Sequence, residues 1–224
     1  MPNDIPRCMQ TQTEILTKAR EFVKRELATD SSGHDWWHIY RVTNTAVKIA
    51  RAENADFFVC ELAALLHDIA DEKLNESKTA GMQKVKTWLQ ENAVPETAIE
   101  HILEIIGTMS YNGGNNKPMR TLEGKIVQDA DRLDALGAIG IGRTFAYAGW
   151  KGHLMHNPEL AIRENMTPEE YRKIGGTAIN HFYEKLLKLK SLMNTAHGRK
   201  LAEERHAFME TFLNQFYQEW EAEV

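Results

Sequence analysis

An almost unbroken apolar run from residue 57 to residue 70 constrains this chain more than any other part of its sequence. A segment that is apolar on all sides folds as a central, buried helix. His67 and Asp68 interrupt the run, and the charged stretch 71–73 follows it directly. A buried carboxylate must be hydrogen-bonded, neutralised or bound to a metal, because a lone charge there costs too much. Two interpretations stay open at this point: a His–Asp pair that holds two helices together, and a metal or catalytic site.

Apolar residues recur at helical spacing along the rest of the chain. No segment alternates apolar and polar residues over the length of a strand, and no internal repeat is present. We therefore predict an all-α fold, a single domain over residues 1–224 built as a bundle of roughly eight to ten helices. The helices are predicted at about 15–29, 35–50 and 57–70, around 85–89 and 99–106, within 122–148, and at about 179–189 and 192–220.

Some side chains are predicted to mark the ends and the buried faces of these helices. Asp35 and Asp56 are candidate N-caps, because a short carboxylate accepts a hydrogen bond from the free N–H groups of a first helical turn. Cys60 lies in the apolar run and is expected to be an ordinary core residue. The aromatic residues assigned to the core include Trp36, Trp37, Phe208 and Trp220.

Irregular segments are predicted at 111–118 and 151–165, where Gly, Asn and His concentrate. Thr167-Pro168 then has the composition of a helix start. Gly137, Gly140 and Gly142 superficially resemble a phosphate-binding glycine motif, but their spacing is wrong and no strand precedes them. Close packing of helices is the better explanation for these glycines.

Charge and composition limit the class of partner. The net charge of −5 and the pI near 6.0 argue against a general electrostatic grip on nucleic acid. Two cysteines far apart in the sequence resemble neither a disulfide framework nor a zinc cluster. The chain shows no signal peptide and no run long enough to cross a membrane, so we expect no membrane association and a cytoplasmic location. Helical surfaces of this kind can also form homodimers, although the sequence indicates no interface.

Polar groups occupy positions where three apolar helices would carry core residues. His38 lies on the second helix, His67 and Asp68 on the third, and three aspartates on the sixth. Imidazole and carboxylate together suit a divalent transition metal. Consecutive helical residues point about 100° apart, so His67 and Asp68 can reach one ion only at a frayed helix end or with the ion beside the helix axis.

The ordered set of His38, His67-Asp68 and Asp131 resembles the H...HD...D signature of the HD-domain metal-dependent phosphohydrolase superfamily. The flanking phrases 34–42 and 125–137 are similar to those of its small bacterial single-domain branch, and the likeness spans about residues 14–220. This branch is similar to enzymes that cut nucleoside triphosphates to a monophosphate and pyrophosphate.

The resemblance implies one divalent metal ion, Mn, Mg, Fe, Ni, Co or Zn with Mn favoured. The implied ligands are His38, His67, Asp68 and Asp131. Asp129 and Asp134 flank Asp131 and are expected to cap helices or support the ligands. A bound ion of this kind makes water a stronger nucleophile at neutral pH and polarises a phosphoryl oxygen.

Asp71 and Glu72 are the candidate catalytic residues, placed to orient the attacking water or accept its proton. Asp71 is preferred because it follows Asp68 by three residues, which brings it near the same helix face. The alternative is that both are charges on a solvated surface.

A triphosphate requires cations, and several lie near the implied ligands. Arg41 and Lys73 are the preferred candidates, whereas Lys125 and Arg132 have the alternative of pairing with nearby aspartates. His34 is a candidate either for phosphate contact or for capping the second helix. His101 is more typical of a partly buried structural histidine. Trp36 or Trp37 has the alternative of stacking on a base. The candidates for a base or sugar pocket are Tyr111 and Asn112 at the start of the first irregular segment, and a second set assigned to the second loop, Tyr147, Trp150, Lys151 and His153.

Three functions therefore compete at this stage. The first is metal-dependent hydrolysis of (deoxy)nucleoside triphosphates. The second keeps the metal and acts as a phosphomonoesterase or phosphodiesterase on another nucleotide, such as a cyclic dinucleotide or an alarmone. The third is a nucleotide-binding sensor without turnover. In each case the partner is a small-molecule nucleotide.

Overall fold

Helices account for the regular structure of the chain in a computed structural model that describes residues 7–28, 35–72, 74–109, 118–163 and 176–223. The described residues form nine α-helices and two 3-10 helices and contain no strand, so the all-α prediction is confirmed. The α-helices are α1 Arg7–Glu26, α2 Trp36–Glu53, α3 Phe57–Leu66, α4 Lys78–Glu91, α5 Glu96–Thr108, α6 Leu122–Asp134, α7 Gly137–Lys151, α8 Ala178–Glu184 and α9 Ala196–Trp220. The first 3-10 helix is His67–Ala70 and the second is Leu186–Leu192.

The chain divides into two compact units. The first comprises Met1–Ser110 and Lys117–Val127, and the second comprises Tyr111–Asn116 and Gln128–Val224. The first unit therefore holds α1 to α5 and the beginning of α6. The second holds the rest of α6 and the elements that follow it. A single domain over the whole chain stays a prediction.

Helix α3 is the central element of the first unit, as its apolar sequence predicts. Eight of its ten residues are buried, and it packs against α1, α2 and α5. Burial raises the pKa of the Cys60 thiol well above its usual range. This thiol therefore stays protonated, and the prediction that Cys60 is an ordinary core residue is confirmed.

Both predicted N-caps are present in the first unit. Asp35 Oδ1 accepts a hydrogen bond from the backbone N–H of His38 at 2.9 Å, and Asp56 Oδ1 accepts one from Val59 at 3.1 Å. A cap of this kind contributes about 1 kcal/mol to the free energy of unfolding. The two caps fix where α2 and α3 begin, and hence which of their residues point inward.

The predicted helix over 57–70 changes character at His67, where α3 gives way to the first 3-10 helix. The side-chain amide of Asn75 fastens the far end of this turn, because its Nδ2 donates to the carbonyls of Ile69 and Asp71 at 2.8 Å each. Helix α4 packs against the same turn. Gly81 makes that approach possible, since a Cβ there would lie 2.7 Å from the Ala70 carbonyl oxygen and 2.8 Å from its Cα.

Gly81→Ala is therefore expected to lower the free energy of unfolding by about 1 to 3 kcal/mol, the usual cost of overpacking against backbone. Gly107→Ala is the matched control on a neighbouring helix, because the nearest atom to its new Cβ would be a flexible methionine methyl at 3.8 Å. Removing that helical glycine should be neutral or stabilise by about 0.5 to 1 kcal/mol. Urea denaturation of both variants checks the pair, and equal effects would contradict the proposed packing.

In the second unit, the predicted helical segment 122–148 is broken in two. The chain turns between α6 and α7 at Gly137, whose φ of +70° favours glycine. At Gly140 a Cβ would lie 2.2 Å from the Ala135 carbonyl oxygen, whereas Gly142 has no atom within 4 Å of that position. Helix packing is thus confirmed at Gly137, where a Cβ would lie 3.1 Å from the Arg205 Cβ on α9. Gly140 instead makes room for the backbone of the turn, and the packing explanation is wrong for Gly142.

Several other expectations need correction. Trp37, Phe208 and Trp220 are exposed rather than part of the core. Trp37 and Phe208 each lie next to a buried residue, and a rotation of about 100° per residue carries them off the inward face. The predicted helix 179–189 also breaks after Glu184, and the last helix starts at Ala196 rather than near residue 192.

Among the described residues, no helix combines the length and the apolar character that a membrane crossing requires. Two sequence predictions, the loop at 111–117 and the helix start at Thr167-Pro168, lie outside the described residues.

Candidate metal centre

Three buried side chains from two elements converge in the first unit. His38 is the third residue of α2, while His67 and Asp68 open the 3-10 helix that follows α3. One ligand atom from each lies within 4.8 Å of the other two. The Asp68 carboxylate lies between the imidazoles, with Oδ2 3.3 Å from His38 Nε2 and Oδ1 3.2 Å from His67 Nε2.

The local fold brings adjacent residues to one point. An ideal α-helix would direct His67 and Asp68 about 100° apart. Because the helix tightens to the 3-10 form at His67, the turn departs from that geometry. The sequence indicated that His67 and Asp68 could share an ion only at a deformed helix end, and the structure has such an end at this position.

A backbone carbonyl selects the ring nitrogen that faces the cluster. His67 Nδ1 lies 2.8 Å from the carbonyl oxygen of Ala64, which can only accept, so Nδ1 carries the proton. In the neutral ring, Nε2 then presents a lone pair toward Asp68 Oδ1, which is also an acceptor. A cation between or beside these two atoms, which lie 3.2 Å apart, would satisfy both.

The donor set fits a divalent transition metal. Nitrogen and oxygen ligands that share an ion at about 2.1 Å lie roughly 3.0 to 3.4 Å apart, which matches both separations measured here. Two imidazoles and one carboxylate suit Mn, Fe, Co, Ni or Zn, and no thiolate lies in the cluster. The described part of the chain offers no second group of three such side chains at this spacing.

Asp131, the remaining implied ligand, is half-buried on the part of α6 that belongs to the second unit. Its role as a ligand stays a prediction. The two flanking aspartates bind groups of the protein itself. Asp129 accepts hydrogen bonds at the beginning of α9, and Asp134 Oδ2 accepts one from Arg143 Nη1 at 2.6 Å.

The candidate catalytic residues follow the cluster directly. Asp71 is half-buried, and its backbone N–H donates to the Asp68 carbonyl at 3.0 Å. Residues three apart in a 3-10 turn lie on the same face, so Asp71 is near Asp68 along the helix axis. Glu72 is exposed. Their catalytic roles stay predictions.

The predicted substrate-binding residues have different outcomes. His34, Lys73 and Tyr111 lie outside the described residues. Arg41 and Lys125 are half-buried, and Arg41 follows His38 by one turn of α2. The Arg132 guanidinium donates to the carbonyl of Leu192. That bond occupies one of its donors.

The candidates for a base pocket are only partly where the sequence suggested. Tyr147, Trp150 and Lys151 lie on α7 rather than on a loop, whereas His153 follows it. His101 is half-buried with Nε2 2.8 Å from Thr121 Oγ1, which agrees with the expected structural histidine.

Sequence reasoning missed two supports of the metal cluster. The Ala64 carbonyl that orients His67 is a backbone group and has no side-chain signature. The second support is Asn75, whose amide fastens the 3-10 helix that carries His67 and Asp68. An asparagine a few residues after a helix end was the available signal for it.

Comparison with known proteins adds independent findings. The family model of the HD domain matches residues 36–136, a span that includes the four implied ligands. Protein YpgQ of Bacillus subtilis strain 168 is 41% identical over 198 residues, which cover 88% of this chain and 89% of YpgQ.

Two solved structures are similar along nearly their whole length. The crystal structure of an HD-superfamily hydrolase from Bacillus thuringiensis is 50% identical, has a TM-score of 0.77, and is matched over 94% of this chain and 99% of that one. The crystal structure of Bacillus subtilis YpgQ in complex with ADP is 37% identical, has a TM-score of 0.76, and is matched over 93% of this chain and 96% of that one.

Proposed function

This chain belongs to the HD superfamily of metal-dependent phosphohydrolases, and we propose that it hydrolyses (deoxy)nucleoside triphosphates to a monophosphate and pyrophosphate. The observation that carries the proposal is the buried cluster of His38, His67 and Asp68. A nucleotide is the preferred substrate class because the similar YpgQ was crystallised with ADP.

HD domains bind a divalent metal ion, and the cluster supplies three of its ligands here. Asp131 is the proposed fourth ligand, and Mn²⁺ is the proposed ion. Such an ion supplies a Lewis acid for a phosphoryl oxygen and makes water a stronger nucleophile at neutral pH. The chain's own contribution is to hold the His67 ring in the tautomer that turns Nε2 toward the cluster.

Other residues complete the proposed site. Asp71 is proposed to accept a proton from the attacking water, because it follows Asp68 by three residues and its backbone N–H donates to the Asp68 carbonyl. Arg41 is proposed to hold a phosphate, since a guanidinium matches two phosphate oxygens at once. Lys73 stays the second preferred candidate for phosphate contact, and Glu72, His34, Lys125, Arg132 and Tyr111 are further candidates for proton transfer or substrate contact.

The proposal is tested by incubating the purified chain with Mn²⁺ and a panel of nucleoside triphosphates in ¹⁸O-labelled water. Products are resolved by ion-exchange chromatography and mass spectrometry. We expect pyrophosphate and a monophosphate, with the label in the monophosphate if water attacks the α-phosphorus. Label in pyrophosphate would instead indicate attack on the β-phosphorus.

Other results would assign a different function. Release of orthophosphate from an added nucleoside monophosphate would favour a phosphomonoesterase, and turnover of a cyclic dinucleotide or an alarmone alone would favour a signalling hydrolase. Nucleotide binding without product, in a protein whose metal content has been verified, would favour the sensor and contradict the proposal.

A further inference from the structure

An exposed apolar surface occupies one part of the second unit. It consists of side chains at the end of α7 and in the segment that follows it, each between 45% and 59% exposed. We call this surface the apolar face, and its members are Tyr147, Trp150, Leu154, Met155, Leu160 and Ile162.

The backbone beneath the apolar face is firmly held. The N–H groups of Ala178 and Ile179 donate to the carbonyls of Leu154 and Met155 at 3.1 Å each. Farther along, the Asn180 side chain donates to the Leu160 carbonyl at 3.0 Å. All three donors belong to the first turn of α8, so Leu154 and Leu160 are brought to the same place.

A buried ion pair fixes the end of the same segment. Glu184 on α8 accepts hydrogen bonds from Arg163 Nε at 2.8 Å, Nη2 at 2.7 Å and the backbone N–H at 3.1 Å. The Glu184 side chain is only 2% exposed, and a bidentate pair in such surroundings holds its partner in one geometry. The segment that carries these apolar side chains is therefore firmly attached, and loose attachment does not explain their exposure.

Aromatic contacts extend the apolar face on both sides. The rings of Tyr147 and Trp150 are 5.7 Å apart, and the Lys151 ammonium lies 4.4 Å from the Trp150 ring centre. Next to Met155, the His156 ring packs 4.8 Å from Trp220, which is itself exposed. Exposed Trp220, at the end of α9, is thus attached through His156 to the segment that carries Leu154 and Met155.

We propose that the apolar face is the contact surface of a homodimer, with a second copy of this chain as its partner. At close to half exposure each, its six side chains present on the order of 600 Å² of accessible area, whereas stable dimers bury roughly 800 Å² per partner. A patch of this size lies at the upper end of what a monomer exposes, and such patches are often functional. Trp220 and the polar border supply the remaining area.

The charges around the apolar face favour a second copy over an anionic membrane. Lys151 and Glu159 are both exposed beside it, so the border carries both signs, as a surface that pairs with itself requires. A membrane surface would attract a basic cluster, and the whole chain has a net charge of −5.

The test is the mass of the full-length chain in solution, measured by light scattering after size exclusion and by sedimentation velocity over a dilution series. The native chain is expected at twice the mass of one chain. Trp150→Glu and Leu154→Glu are each expected to shift the equilibrium constant for dimerisation at least about 100-fold toward monomer, because each would bury a charge at the interface.

Trp37→Glu is the matched control, because Trp37 is at least as exposed as Trp150 and also lies on a helix, but belongs to the other unit. It should leave the dimer intact, and circular dichroism confirms that each variant is folded. A native monomer at every concentration would overturn the proposal and indicate that the chain itself or a different partner covers the face. A dimer that survives both substitutions, or one broken equally by Trp37→Glu, would also overturn it.

Discussion

Asp68→Ala is expected to abolish metal binding and hydrolysis together. Both oxygens of this carboxylate face the cluster, one toward each imidazole, so the substitution removes the side chain that bridges His38 and His67. We expect metal content to fall from about one ion per chain to almost none. Phosphohydrolase activity should fall at least about 1000-fold in kcat/KM, a loss of about 4 kcal/mol in transition-state stabilisation.

The matched control is Asp56→Ala. Asp56 is also an aspartate at the boundary of α3, but its carboxylate caps the helix through Val59 and lies at the opposite end from the cluster. This variant should lose about 1 kcal/mol of stability while keeping its metal and its activity. Elemental analysis, nucleotide turnover and urea denaturation of both variants separate the two roles. Activity of Asp68→Ala within tenfold of the native chain would contradict the assigned cluster.

The sequence predicted those residues of the site that stand out from their immediate sequence neighbours. His67 and Asp68 are conspicuous because they interrupt an apolar run, and His38 because it follows a capping aspartate on an amphipathic helix. The sequence also indicated that two adjacent ligands need a deformed helix end. It did not show how the deformation arises. The close approach of α4 at Gly81 depends on tertiary packing, and the Asn75 amide bonds only to backbone carbonyls, which have no side-chain signature.

Predictions of burial failed at helix positions next to a buried residue, because neighbouring positions on a helix point about 100° apart. Trp37 follows the half-buried Trp36 and precedes the buried His38, and its size alone suggested a core position. Hydrophobicity cannot separate a core residue from an exposed one at the edge of a helix face. The same limit applies to Trp150, which was treated as a loop residue and lies on the outer side of α7.

Asp129 forms hydrogen bonds with residues so distant in the sequence that local patterns could not predict them. Its flanking position beside Asp131 suggested a cap or a support, but its partners lie 65 and 66 residues farther along the chain. The fully buried carboxylate accepts from the backbone N–H of Asn194 at 2.9 Å and of Thr195 at 2.8 Å. It also accepts from the Asn194 amide and the Thr195 hydroxyl, at 2.8 Å each. One side chain thus attaches α6 to the residues that begin α9.

Asp129→Ala is accordingly expected to lower the free energy of unfolding by about 3 to 5 kcal/mol, because it leaves several buried donors without an acceptor. Urea denaturation measures the loss. Ser77→Ala is the control, since Ser77 Oγ accepts one exposed hydrogen bond from Ala80, and its removal should cost only about 1 kcal/mol. A loss for Asp129→Ala no larger than that of the control would contradict the structural role.

A double-mutant cycle with Gly198 tests whether the carboxylate acts at the place described. A Cβ on Gly198 would lie 2.5 Å from Asp129 Oδ2 and 2.7 Å from Thr195 Oγ1, so Gly198→Ala should destabilise the native chain. In the Asp129→Ala background the nearer of these atoms is gone. Gly198→Ala should then cost at least about 1 kcal/mol less than it does alone, within the range measured for residues in contact. If the losses in free energy of unfolding from Asp129→Ala and Gly198→Ala were additive, Asp129 would stabilise the chain at another place. Direct contact between the two sites should make the combined loss smaller than their sum.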